Sequence, residues 1–339
     1  MAKILTLRRP KIEIDRGALY EALTSWLNSR PMTTRRQYLR IAREWSEHLG
    51  CNIETKSAIG LWSRARHAQA QSFVNAQTKR PAQPGRAAQA SHDGQVSLAT
   101  VRHKVVILKA IYQELIAQGA LELNPFARLA LELKKHNSSQ RRPHSRVSGE
   151  SVKALLQLER PRLAGVAEAK EWVRDVAIMH LFFGAALRRS EVIGLRVGDV
   201  MTSPEGTSYL RLARTKSQKV QTVSLPDWVA SKVLALVDQR LEDGASQDDA
   251  LCVIYFKGKQ QAFSDSTIYR LFKRHCKALG LENVSPHCAR VTAITQLLDQ
   301  GLSHRDVQEL SRHSSVVMVE RYDRKRVEID NSASKKLKY

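Results

Sequence analysis

The sequence predicts a mainly α-helical protein with a small β-sheet, in which an all-helical N-terminal domain precedes an α+β domain. Three observations predict it. Apolar residues recur at helical spacing through residues 17–136, with no alternating run among them. In the second half, two alternating segments, 209–212 (YLRL) and 220–225 (VQTVSL), bracket turn residues 215–219 and read as a hairpin. Between the halves, KKHNSSQRRPHSR (134–146) lacks large apolar side chains and holds Pro143, so residues 137–147 read as a linker. A length of 339 residues suits two domains, each able to bury a core.

Residues 1–16 are a basic tail without periodicity, and a short helix is predicted over 16–27. Thr33 or Thr34 caps the next helix, where Tyr38, Ile41, Ala42, Trp45 and Leu49 form one apolar stripe. Arg35, Arg36, Arg40 and Arg43 occupy its other face. A third helix is predicted over 57–77, followed by a loop insertion at 78–97 rich in Pro, Gly, Ala, Gln and Ser. Ser97 then caps a long helix to 118, with Val101, Val105, Leu108, Ile111, Tyr112 and Leu115 buried and Arg102, Lys104 and Lys109 facing out. Gly119 closes that helix, and Asn124-Pro125 starts a short one toward 134.

In the second domain (148–339), Ser148 or Ser151 caps a first helix, and a helix holding 175–187 follows before the hairpin. Further helices are predicted over 228–242, 266–279, 287–300 and 303–311, and residues 323–339 form a basic tail.

Charge separates the partner classes. The chain carries 55 Lys and Arg against 33 Asp and Glu, a formal net charge of +22. Such an excess on recurrent helix faces points to a polyanion, of which nucleic acid is the commonest. Arg141 and Arg142 in the linker extend the basic set, and a basic linker between basic domains suits a clamp around a duplex as well as a plain spacer. The four cysteines form no CxxC pair, so neither a zinc ribbon nor a disulfide framework is indicated, and they read as reduced cytoplasmic thiols. The N-terminus has too short an apolar run for a signal peptide. The longest apolar run, 176–187, falls short of the roughly 20 residues a membrane span needs, so no membrane partner is expected.

Breaking a phosphodiester without a metal requires guanidinium groups for the non-bridging oxygens, a nucleophile, and an acid for the leaving oxygen. The chain supplies candidates. Arg188 follows the apolar helix, with Glu191 three residues on; His287 and Arg290 are spaced to share a helix face. Pro286 suits the first turn of that helix. His313 and Tyr322 come later, and Lys216 falls at the tip of the predicted hairpin. Singly, each reads equally as a surface ion pair, a packing residue or a solvated side chain; the ordered set is what is specific.

In order and spacing, Arg188 with Glu191, Lys216, His287-x-x-Arg290, His313 and Tyr322 resemble the catalytic domain of the tyrosine recombinases, the phage integrase, Cre and Xer family. The resemblance covers about 148–326, and the helical region before it is similar in kind to the family's core-binding (SAM-like) domain. It implies that Tyr322 attacks a DNA phosphate to give a 3′-phosphotyrosine, while Arg188 and Arg290 hold the phosphate and His313 donates a hydrogen bond. Lys216 would protonate the leaving oxygen, His287 would assist proton removal, and Glu191 would support its neighbours. The implied partners are double-stranded DNA with a specific recombination site and a homotetramer on two duplexes that passes through a Holliday junction, without metal or cofactor. The residues before 17 leave no space for an arm-binding domain, so the two-domain recombinases compare better. Ala186 stands where the family usually has Gly, Ala289 where it has Leu, and Ser311-Arg312 where it has Leu-Gly. A type IB topoisomerase-like enzyme and a non-catalytic DNA-binding accessory protein remain alternative readings.

Overall fold

The computed structural model describes residues 17–81, 95–135, 146–159, 165–212, 220–256, 259–282 and 284–323. The chain divides into two compact units, Met1–Arg142 and Pro143–Tyr339. Residues 1–16, most of the 78–97 insertion, most of the 137–147 linker including Arg141 and Arg142, Lys216, and all but the first residue of the 323–339 tail lie outside the described residues.

The first unit is helical: α1 (Ala18–Leu27), α2 (Met32–His48), α3 (Ala58–Arg64), α4 (His67–Thr78), α5 (Leu98–Ala117) and α6 (Ala127–Lys135). Its core is aromatic, and its polar tips are satisfied internally. Trp45 Nε1 donates to the Tyr112 hydroxyl at 3.0 Å, Tyr112 donates to the Trp62 carbonyl at 3.1 Å, and Trp62 Nε1 donates to Ser46 Oγ at 2.9 Å. Ser97 caps α5 by accepting from Thr100 N at 3.3 Å, and the six expected stripe residues are all buried.

Two local expectations are corrected here. The single helix predicted over 57–77 is two, because Ala65 and Arg66 are extended. Arg66 Nη1 donates to the Ser63 and Ala65 carbonyls at the end of α3, while Gln69 Oε1 accepts from Arg66 N. A break made by such local caps leaves no Pro or Gly as a signal. Helix α2 starts after Pro31, ahead of the threonines expected to cap it.

Lys104 does not face outward. It is buried, and its ammonium donates to Glu44 Oε2 and Gln77 Oε1, both at 2.6 Å. Helices α2 and α4 pack on α5 and cover the side that a single-stripe reading leaves to solvent. Arg36, Arg40 and Arg43 are exposed; Arg35, Arg102 and Lys109 are half-buried.

The second unit opens with α7 (Gly149–Leu156), capped by Ser148, and α8 (Val166–Gly184). Next come α9 (Arg189–Gly194), a 3-10 turn at Val197–Asp199, and an antiparallel sheet of β1 (Val200–Thr202), β2 (Ser208–Leu212) and β3 (Gln221–Ser224). After α10 (Asp227–Glu242), β4 (Val253–Phe256) pairs with β5 (Lys259–Ala262). The unit closes with α11 (Asp265–Ala278), α12 (Pro286–Asp299), α13 (His304–Ser311) and α14 (Val316–Glu320). The expected hairpin is β2–β3, in register Leu210↔Val223 and Leu212↔Gln221. Strand β1 and the β4–β5 pair were not anticipated. Three residues are too few to show a period, and β5 (KQQA) is exposed throughout with no alternating apolar residue.

Two features position the site. Gly184 ends α8 against α10, where an added Cβ would stand 2.3 Å from Val229 Cγ2, so only glycine permits this approach. The helix predicted to reach 187 stops at Gly184, and Ala186 takes a left-handed φ of 47°. Separately, α12, α13 and α14 enclose a small apolar cluster of Val291, Ile294, Leu298, Val307, Val319 and Tyr322. Among the described residues no helix is long and apolar enough to cross a membrane.

Candidate active site

Arg188 is the N-cap of α9, and Glu191 occupies the third helical position. A carboxylate there can accept the orphan amide of the cap residue, and Arg188 N donates to Glu191 Oε2 at 2.7 Å. The Arg188 guanidinium turns onto the same carboxylate, Nη1 to Oε1 at 2.6 Å, while its Nη2 donates to the Arg312 carbonyl at 2.7 Å. Its side chain keeps 33% of its exposure.

Helix α12 begins with Pro286 in its first turn, and one helical turn brings His287 and Arg290 to one side. His287 is exposed; Arg290 is buried. Arg290 Nη1 donates to the Ala186 carbonyl and Nη2 to the Ser311 carbonyl. Both acceptors belong to interrupted backbone, at the left-handed turn after α8 and at the end of α13. The two turns thus hold the guanidinium against the core.

His313 follows α13. Its Nδ1 lies 2.8 Å from Ser311 Oγ and its Nε2 3.5 Å from Arg290 Nη2. The imidazole stacks on the Tyr322 ring, with centroids 5.6 Å apart and planes at 23°. Tyr322 sits just past α14, 7% exposed, in the small apolar cluster, its amide bonded to the Val319 carbonyl at 2.8 Å. Six of the seven residues proposed for chemistry thus fall in the second unit's described part: Arg188, Glu191, Arg290, His313 and Tyr322 form one chain of contacts, and His287 stands on the first turn of α12.

Arg312 is the residue that sequence reasoning missed. It ends α13 in a left-handed conformation (φ 56°), is buried, and sends Nη2 to Glu191 Oε2 at 2.8 Å and to the Ala186 carbonyl at 3.2 Å. The available signal was its replacement of a usual glycine directly before His313.

Three guanidinium groups around one carboxylate make the site electropositive. Burial lowers the His313 pKa, and the charges of Arg290, Arg188, Arg312 and His287 lower it further, to about 4. His313 is therefore neutral near pH 7. Burial, with Arg188 and Arg312 adding to it, pushes Arg290 down to about 9. Burial alone would raise Glu191, but the Arg312 charge and the hydrogen bonds from Arg188 and Arg312 outweigh it and hold the carboxyl below its usual range. Such a pocket has unspent attraction for an anion bearing oxygens in several directions, as a phosphodiester does. Among the described residues no cluster of His, Cys, Asp and Glu is arranged to hold a metal ion.

Residues 147–328 match the model of the phage integrase family. The chain belongs to that family. Curated relatives include the tyrosine recombinase XerC of Thermodesulfovibrio yellowstonii, 28% identical over 67% of this chain and 71% of the relative. The tyrosine recombinase XerA of Thermococcus kodakarensis is 31% identical over 55% of this chain and 63% of its own. Among solved structures, the Tn1549 transposon integrase in complex with circular intermediate DNA superposes with a TM-score of 0.63 at 15% identity, covering 95% of this chain and all 100% of that one. The XerH recombinase bound to palindromic difH substrate gives 0.66 at 17% identity, covering 94% and 84%. These two likenesses concern the fold. As a phage integrase family member, the chain is a tyrosine recombinase, an enzyme that cleaves and rejoins DNA strands.

Proposed function

We propose that this recombinase acts at a specific DNA site through Tyr322, as a homotetramer on two duplexes that forms and resolves a Holliday junction. The observation that carries the reading is the His313 imidazole set between the Arg290 guanidinium and the Tyr322 ring. Arg188 and Arg290 would receive the non-bridging oxygens of the scissile phosphate, and His313 would add a hydrogen bond. The Tyr322 oxygen bonds to phosphorus as the bond from phosphorus to the 5′-oxygen breaks. Its proton leaves with the help of His287, and Lys216 supplies the proton that makes the free 5′-hydroxyl. The ester conserves bond energy, and attack by a partner strand's 5′-hydroxyl reverses the step.

Arg36, Arg40 and Arg43 on α2, with Arg35, Arg102, Lys109, Arg141 and Arg142, are proposed to bind DNA phosphates; buried Lys104 is withdrawn from that set. Helix α11 adds a further basic edge to this set. Tyr269, Arg270, Lys273, Arg274 and Lys277 line one open groove there, although Arg274 also pairs with Asp175. A cytoplasmic location fits a DNA substrate.

The duplex recovered by selection from a random library on the wild-type protein, nicked near the cleavage position, provides the test. Wild type should accumulate a covalent adduct and Tyr322→Phe none, with DNA affinity unchanged. An adduct persisting in Tyr322→Phe would transfer the nucleophile elsewhere, and plasmid relaxation without strand exchange would favour a topoisomerase.

A further inference from the structure

We propose that Arg312 is a positioning residue: it locks Glu191 and, through it, Arg188 into the geometry that receives the phosphate, and so sets the cleavage rate without adding to DNA affinity. The proposal rests on the assignment of Arg188 made above.

The backbone supplies the first argument. Arg312 and Ala186 are the two non-glycine residues with positive φ among the described residues. A left-handed conformation is unfavourable for an L-residue, because its Cβ crowds the following carbonyl, and glycine avoids that cost. An arginine in such a place must be held by what its side chain does.

The side chain supplies the second. It is 2% exposed, so it does not reach a substrate, and its partners all belong to the site's framework. Nη1 donates to the Leu310 carbonyl at 2.5 Å, and Nη2 donates to Glu191 Oε2 and the Ala186 carbonyl. In return, the Arg312 carbonyl accepts from Arg188 Nη2 at 2.7 Å. Arg188, Glu191 and Arg312 therefore close a ring that ties the turn after α8 to the turn after α13. Arg290 donates to both turns as well, so the ring also fixes where Ala186 and Ser311 present their carbonyls to it.

The third argument is electrostatic. Glu191 divides its attraction between two guanidinium groups, one on each oxygen, with the Arg188 amide sharing Oε2. Without Arg312 the carboxylate would be left to Arg188 alone, neutralising more of the charge that a phosphate must find there. Loosening the ring and quenching Arg188 both lower the cleavage rate, and neither touches the helix faces that bind DNA.

The experiment compares Arg312→Gly and Arg312→Lys with wild type on the selected, nicked duplex, measuring single-turnover cleavage at saturating protein, DNA affinity and melting temperature. Glycine suits the left-handed backbone, so Arg312→Gly should fold. Its cleavage should slow roughly 10- to 100-fold, the scale of effect that a misplaced group produces, with affinity unchanged. Arg312→Lys, which keeps the charge, should recover part of the rate. Glu191→Gln should cost less in the Arg312→Gly background than in wild type, because the two act through one contact. Wild-type cleavage by Arg312→Gly, or losses of melting temperature and affinity in step with the rate, would overturn the proposal. Arg188→Ala is the companion measurement: if it cleaves normally, the Arg188 assignment falls, whereas if it is inactive while Arg312→Gly cleaves at the wild-type rate, only the inference about Arg312 falls.

Discussion

His313 shows how a side chain acquires its state from its neighbours. Its ordinary pKa of 6.5 is brought to about 4 by burial and by Arg290, Arg188, Arg312 and His287. Between those two pH values the unfolded chain binds the extra proton and the folded chain does not, so stability falls as pH drops through that window and is unaffected above it. His313→Gln should therefore lose less melting temperature than wild type between pH 7 and pH 4.5. An anion bound against Arg188 and Arg290 offsets their charge, so binding of the selected duplex should raise the His313 pKa, which a histidine NMR titration of free and bound protein would register. An unchanged or lower value in the complex would place the phosphate elsewhere. At this scale much was legible. Arg188–Glu191 and His287–Arg290 are neighbours within one helical turn, and such pairs follow from chain geometry alone. Arg312 was only partly legible: its place at a usual glycine marks a left-handed turn, but its partners lie 121 and 126 residues away.

At the scale of elements, α5 is the instructive case. Its cap and its apolar stripe follow from local spacing, yet Lys104 shares the helix with the half-buried Arg102 and Lys109 and is itself buried against Glu44 and Gln77. Removing Lys104 takes the donor from buried Gln77 while Glu44 keeps Arg40, so Lys104→Ala should destabilise the first unit by about 1–3 kcal/mol in urea unfolding while leaving the salt dependence of DNA binding unaltered. Arg36→Ala should do the opposite, costing little stability and reducing the salt slope by about one. The same contrast explains why the break between α3 and α4 escaped the pattern: both flanking stretches are helical, and the interruption is held by the Arg66 side chain and Gln69. Helix α8 ends ahead of the predicted residue 187, at Gly184, which lies against Val229 of α10.

For the whole molecule, the net charge of +22 makes a prediction that does not depend on any single contact. If six to ten phosphates are neutralised, affinity for the selected duplex should fall by about 10³ to 10⁵ between 50 and 200 mM salt. A flat response would remove the polyanion reading of the charge. The two units carry separate cores, an aromatic one among α1–α6 and one built around α8, the three-stranded sheet, α10 and α11, so a core truncation in one should leave the packing of the other intact.

By itself the sequence determined the helical periodicity, the cap at Ser97, a helix start at Ser148 or Ser151, the two hairpin strands, and the residue types that strand cleavage needs. These are read from residue type and short-range spacing, where propensity decides. Only the tertiary structure decided that Lys104 is a core ion, that Ala186 and Ser311 offer their carbonyls to Arg290, and that Arg312 joins the site. The first outcome depends on α2 and α4 closing over α5, and the other two on two turns, far apart in the chain, meeting at Arg290 of α12; local spacing does not encode which elements will meet.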